Sequence, residues 1–249
     1  MEIIILIILV AIVCEFIDSY LGMMYGTILS PVLLIAGYDP VIVIPSILFS
    51  QAMGGFIASY RHNHFKNAVF NIKSKDLKIA SVIIGLGFVA VVFGVMVGVN
   101  VPKMFLKLYI GILCLFMGLV VLLKHKFKFS WRKIMLLGVV SSFNKALSGG
   151  GFGPVVVSGL VLSGRESKKA IGTTDFAEAP ICIMAFLVWI MINGMFDINM
   201  LIYLTIGSCV GGYFGPKMLS KFKSKTKLTK VIGFLALTLG AWTIIKTLF

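Results

Sequence analysis

The chain reads as an all-α polytopic membrane protein built from two inverted repeats. Each repeat would be a re-entrant, or short-helix, hairpin followed by three full transmembrane helices. Three observations predict this. Of the 249 residues, 59% are hydrophobic and only 13% charged, about half the charge of an ordinary soluble domain. Six apolar runs are each long enough to cross a bilayer, at 41–60, 77–99, 104–123, 170–192, 198–216 and 229–248. Four shorter runs form two adjacent pairs, 2–17 with 23–36 and 134–147 with 151–164, each pair parted by a glycine-rich polar break.

The first run, MEIIILIILVAIVCEF, lacks a basic leader and a small-residue cleavage pattern, so it is expected to be retained. It ends in the break Glu15–Thr27, EFIDSYLGMMYGT. A 14-residue helix rises about 21 Å, short of the ~30 Å hydrocarbon core. Two such helices meeting at a polar turn suggest a hairpin whose tip lies within protein; tilted full spans are the other reading. The same pattern recurs at Ser141–Pro154, SSFNKALSGGGFGP, with three consecutive glycines and one lysine at membrane depth.

The two halves, 1–124 and 125–249, match each other. At an offset of 127, Gly22 meets Gly149, Gly26 meets Gly153, Gly37 meets Gly164, Asp39 meets Glu166 and Ser46 meets Thr173. After an insertion the offset becomes 122: Gly111 meets Gly233, Gly118 meets Gly240 and Lys124 meets Lys246. Nineteen of the 23 Lys and Arg residues fall in four stretches, 61–78, 124–133, 165–169 and 217–230. The tendency of basic loops to remain inside places all four in the cytoplasm of a plasma-membrane protein. That is possible only if each short pair returns to its starting side, which inverts one half relative to the other. The loop 193–197, with no Lys or Arg, then lies outside.

Net charge of +14 would suggest nucleic acid in a soluble chain. Here the basic residues lie between apolar runs, so lipid headgroups and topology account for them and no nucleic-acid partner is expected. The cysteines Cys14, Cys114, Cys182 and Cys209 all sit in apolar runs and read as small packing residues. His62, His64 and His125 lie in basic loops and read as solvated surface residues without metal-ligand spacing. No cofactor, metal site or catalytic motif is implied, and an enzyme is not expected.

The candidate transport site is the meeting of the two breaks near the membrane middle, a plan that recurs in secondary transporters. The second arm of each hairpin starts at the tip, so its free amides and positive dipole end favour an anion. Gly149, Gly150 and Gly151 let backbone approach a ligand; Asn144, Lys145 and Ser148 stand beside them. The plainer reading of the glycines is tight helix packing. In the first half the tip offers Asp18, Ser19 and Gly22, with Asp18 aligned to Lys145, so that the two charges could pair across the tips. Thr173, Thr174, Asp175 and Glu178 follow in the third helix of the second half, the acids three residues apart on one face. With Glu15 and Asp18, four acids lie at membrane depth against one lysine. That excess suggests proton coupling, or a cation as cargo. For Asp175 and Glu178 the alternative is hydration near the headgroups.

The segments Ala146-Leu-Ser-Gly-Gly-Gly-Phe-Gly-Pro154 and Ala170-Ile-Gly-Thr-Thr-Asp175 resemble the sulfite exporter TauE/SafE family of permeases. The resemblance extends over essentially the whole chain. It departs in the first half, where members often show a glycine-rich run and this chain has Leu21-Gly-Met-Met-Tyr-Gly26. It implies a secondary transporter of the plasma membrane for sulfite or organosulfonates, mostly exported, with proton coupling. The rival readings are a cation transporter using the acids and a channel-like membrane protein whose breaks only pack.

Overall fold

Ten helices make up the computed structural model, which describes residues 2–123, 130–221 and 226–249. In chain order they are α1 (Glu2–Leu21), α2 (Tyr25–Ile35), α3 (Pro40–His64), α4 (Lys75–Asn100), α5 (Lys103–Leu123), α6 (Trp131–Ser148), α7 (Phe152–Leu162), α8 (Ser167–Asn193), α9 (Ile198–Lys221) and α10 (Thr226–Leu248). The repeat boundary at 124/125 and the residues Lys124, His125, Lys126, Lys128, Lys223 and Lys225 lie outside the described residues. Among the described residues, five helices are long and apolar enough to cross a membrane: α1, α3, α4, α8 and α9.

The hairpin arms differ from expectation. The first arms are long, 20 residues in α1 and 18 in α6, and the second arms short, 11 residues in each of α2 and α7. The first apolar run ends at residue 17, but α1 continues to Leu21, because Glu15 and Asp18 turn into protein and find partners there. Each break is then one tight turn. Gly22 (φ +75°) follows α1 and Gly149 (φ +74°) follows α6, a left-handed conformation that glycine adopts without Cβ strain. Gly37 and Gly164, also matched in sequence, close the two short arms with positive φ.

Contacts group the helix ends. Asp76 pairs with Arg165, Lys168 Nζ donates to the Ser220 carbonyl (2.9 Å) and Asn67 Nδ2 to the Pro216 carbonyl (2.9 Å). The stretches around 61–78, 165–169 and 217–221 therefore share one end of the bundle. At the other end, Lys103 pairs with Asp39 and Lys246 donates to the Ile35 carbonyl. The two ends are joined by α3, whose 25 residues rise about 37 Å. An 11-residue arm rises about 16 Å, half of a ~30 Å core. Since α2 ends with Ile35 at one end and α7 leads to Arg165 at the other, the tips enter from opposite ends and meet at mid-height.

Packing follows a repeated pattern. The long arm α1 lies along α9 as α6 lies along α4, α3 contacts α9 as α8 contacts α4, and α3 packs on α8 and α5 on α10. Small residues permit the close approach. A Cβ on Gly211 would fall 2.6 Å from the Ile12 carbonyl oxygen, and one on Gly94 2.7 Å from that of Phe143. The outer faces are apolar: Leu6, Val13, Val89, Phe93, Phe116 and Leu136 are all exposed. Glu15, Asp18, Gln51, Lys145, Asp175 and Glu178 are instead buried inside the bundle.

Candidate functional site

The two breaks touch. A Cβ on Gly26 would stand 1.7 Å from the Gly149 carbonyl oxygen, and one on Gly153 2.4 Å from that of Gly22. These two contacts exchange into one another under the repeat matching of Gly22 with Gly149 and Gly26 with Gly153. No side chain larger than hydrogen fits at this crossing.

Unwound backbone inside protein must have its polar groups satisfied, and here Ser30 and Thr27 of the opposite half do this together with Trp189 and Ser148 of the same half. Ser30 Oγ donates to the Ser148 carbonyl (3.0 Å), the Gly151 amide donates to Thr27 Oγ1 (3.1 Å), and Trp189 Nε1 donates to the Ala146 carbonyl (2.7 Å). The Gly150 amide donates to Ser148 Oγ (3.2 Å). The tip amides thus face hydroxyls, which an anion could displace. A cavity of about 10 Å3 remains, bounded by Gly26, Thr27, Cys114, Ser148, Gly150 and Gly151. It has room for one water molecule, so this conformation is closed around the tips.

The first tip is different. Asp18 Oδ1 accepts from the Tyr25 amide (3.2 Å) at the start of α2, placing a carboxylate of the protein itself where a helix N-terminus favours negative charge. The second tip has Lys145 in the matching position and keeps its amides for neutral hydroxyls.

Lys145 is almost fully buried, and its ammonium donates to Glu178 Oε1 (2.9 Å) and to Gln51 Oε1. Gln51 Nε2 in turn donates to Asp18 Oδ2 (3.0 Å). The expected direct pairing of Asp18 with Lys145 is therefore corrected: Gln51 stands between them, and the carboxylate that neutralises the lysine is Glu178. Gln51 and Glu178 are themselves 127 residues apart. Each half joins the same two positions, acid to amide in one and amine to acid in the other. Lys145 also points away from the 10 Å3 cavity, toward α3 and α8, so lysine and glycine amides do not converge on one point here.

Asp175 is buried rather than hydrated near headgroups. Its Oδ2 meets His62 Nε2 at 3.0 Å, and Asn67 Nδ2 approaches His62 Nδ1 at 3.1 Å. His62 is fully buried, which overturns its reading as a solvated loop residue: α3 extends to His64, carrying His62 inward against α8, while His64 stays exposed. Glu178 is buried as well, so its hydration near headgroups is also excluded.

The remaining candidates sit close by. Ser19 Oγ donates to Glu15 Oε1 (3.3 Å), Tyr109 OH donates to Asn144 Oδ1, and Thr174 Oγ1 bonds back to the Ala170 carbonyl (2.8 Å). Thr173 Oγ1, Glu15 Oε2 and Asp175 Oδ1 are buried without a hydrogen-bond partner among the described residues. Gln51, Tyr25 and His62 join the cluster without having been singled out as site residues. The repeat offset pairing Gln51 with Glu178 was the signal for the first; nothing local marked the others.

The family model described as Sulfite exporter TauE/SafE matches residues 7–243. The chain is also similar to the "Probable membrane transporter protein YtnM" of Bacillus subtilis (strain 168), 25% identical over 243 residues that cover 92% of this chain and 78% of the relative. With nearly its whole length matched, the chain belongs to the sulfite exporter TauE/SafE family and is a multi-pass membrane transporter.

Proposed function

We propose that the protein is a secondary transporter of the plasma membrane that carries a small anion, such as sulfite or an organosulfonate, by alternating access between two inverted repeats. The observation that carries this reading is the crossing of Gly22 and Gly26 with Gly149, Gly150 and Gly153 at mid-height, beside one buried lysine. The anion takes the tip amides of Gly150 and Gly151 from their hydroxyl partners, with Ser148 and Asn144 alongside. Transfer of a proton to the Glu178 carboxylate removes the charge that holds Lys145, and the freed ammonium turns to the anion. Proton and anion then move together, with Asp175 and His62 next to Glu178 on the way to the basic end. Asp18 already supplies the negative charge at the first tip, so one anion site per chain is the expectation.

Radiolabelled sulfite flux in proteoliposomes, with and without an imposed pH gradient, tests this. Saturable flux lost in Lys145→Ala and kept in Lys73→Ala supports it; unsaturable, gradient-independent conductance overturns it in favour of a channel. A second reading, cation transport, draws on Glu15 Oε2 and Asp175 Oδ1, which have no hydrogen-bond partner among the described residues and belong to two of the four buried carboxylates. Sodium-dependent flux abolished by Glu15→Gln, without sulfite flux, would support that reading instead.

A further inference from the structure

Lys103, Lys107 and Lys246 stand apart from the four basic stretches, at the opposite end of the bundle. Lys103 pairs with Asp39, and Lys246 donates to the last carbonyl of α2, that of Ile35, where the helix dipole favours a cation. Lys107 is half-buried, lies within electrostatic reach of Asp39, and has no hydrogen-bond or ion-pair partner among the described residues. It faces a cavity of about 100 Å3 whose polar wall is Lys107, Thr243, Lys246 and Thr247 and whose floor is the end of α2, at Leu34, Ile35 and Gly37.

This cavity lies on the same seam as the small one at the glycine crossing. The inner cavity uses Gly26 and Thr27 of α2 and Ile110, Leu113 and Cys114 of α5; the outer uses Leu34 and Ile35 of α2 and Lys107 of α5. Thr27 and Leu34 are separated by about 10 Å of helix rise, and Lys107 and Ile110 by one turn. A positive cavity at the mouth of a narrow seam concentrates anions at its inner end.

We propose that this cavity is an oxyanion-binding vestibule, where the transported anion is captured or released, and that the α2–α5 seam is its route to the glycine crossing. The inference rests on the anion reading of that crossing. The Lys107 and Lys246 ammonium groups suit a compact ligand with two or three charged oxygens, whereas the Thr243 and Thr247 hydroxyls donate to the Leu239 and Thr243 carbonyls. A soluble oxyanion and a phospholipid phosphate share this chemistry, and the test separates them.

The full chain carrying Thr247→Cys and Cys209→Ser, in phosphatidylcholine nanodiscs, is modified with anionic and cationic methanethiosulfonates. The anionic reagent reacts faster by about tenfold relative to the cationic one. Lys107→Gln, alone or with Lys246→Gln, brings the ratio toward parity, and sodium sulfate at constant ionic strength slows the anionic reagent. A ratio indifferent to Lys107→Gln overturns the vestibule. Slowing by phosphatidylglycerol with no effect of sulfate assigns the cavity to lipid headgroups and also overturns it. In proteoliposomes, Lys107→Gln raises the KM for sulfite about tenfold with kcat within about twofold, and an unchanged KM removes the route. Absence of sulfite flux in the unsubstituted protein would count against the anion reading of the crossing, while the labelling ratio decides the vestibule independently.

Discussion

At the scale of single residues, a charge inside lipid needs a partner. Lys145 and Glu178 are both buried and 2.9 Å apart. Replacing one leaves the other uncompensated, at about 3–5 kcal/mol. Glu178→Ala is expected to lower the unfolding midpoint in detergent markedly, and the double variant Lys145→Met/Glu178→Leu to recover most of the loss. A double variant as unstable as the single one would show that packing, not charge, dominates. His62 makes the same argument at the α3–α8 contact: His62→Leu strands Asp175 Oδ2 and should destabilise by about 1–3 kcal/mol or more, with His62→Gln retaining part of the bond. Equal melting temperatures for the two variants would remove His62 from the network. Single-residue chemistry was partly legible in sequence. Buried acids and one lysine stood out against an apolar background. Their partners did not, because His62 and Gln51 carry no local signal and are recruited by helices far away in the chain.

At the scale of elements, the crossing of the breaks depends on bare backbone. Gly26→Ala would drive a methyl group to within 1.7 Å of the Gly149 carbonyl oxygen, so the tips must part. Flux should fall by at least tenfold, with loss of thermal stability. Gly85→Ala is the control: its added Cβ meets nothing within 4 Å on an exposed helix face, and alanine favours helix by about 1 kcal/mol. Retained flux in Gly26→Ala would mean that the tips are not in contact during transport. The breaks were legible from glycine and charge placement. The arm lengths were not, because the apolar run stops at residue 17 whereas α1 continues to Leu21 through side chains that only the folded protein satisfies.

At the scale of the whole molecule, the contacts that gather 61–78, 165–169 and 217–221 at one end make sidedness a sharp test. In a background lacking Cys209, Ile72→Cys should react with impermeant maleimide only from the cytoplasmic side and Met195→Cys only from outside; both positions are exposed. Labelling of both from one side would break the inverted arrangement. The symmetric pairing of helices, α1 on α9 as α6 on α4, supports a two-fold relation between halves.

The membrane class, the paired breaks, the duplication pattern and the segregation of basic loops are all properties of local composition and spacing, so the linear chain carries them. Which buried charge neutralises which, that His62 turns inward, and that the Gly151 amide meets the Thr27 hydroxyl of the opposite half depend on residues brought together from separate helices. Those choices follow from the cost of leaving any polar group unsatisfied in hydrocarbon, a condition that the packed structure meets as a whole and no single segment can meet alone.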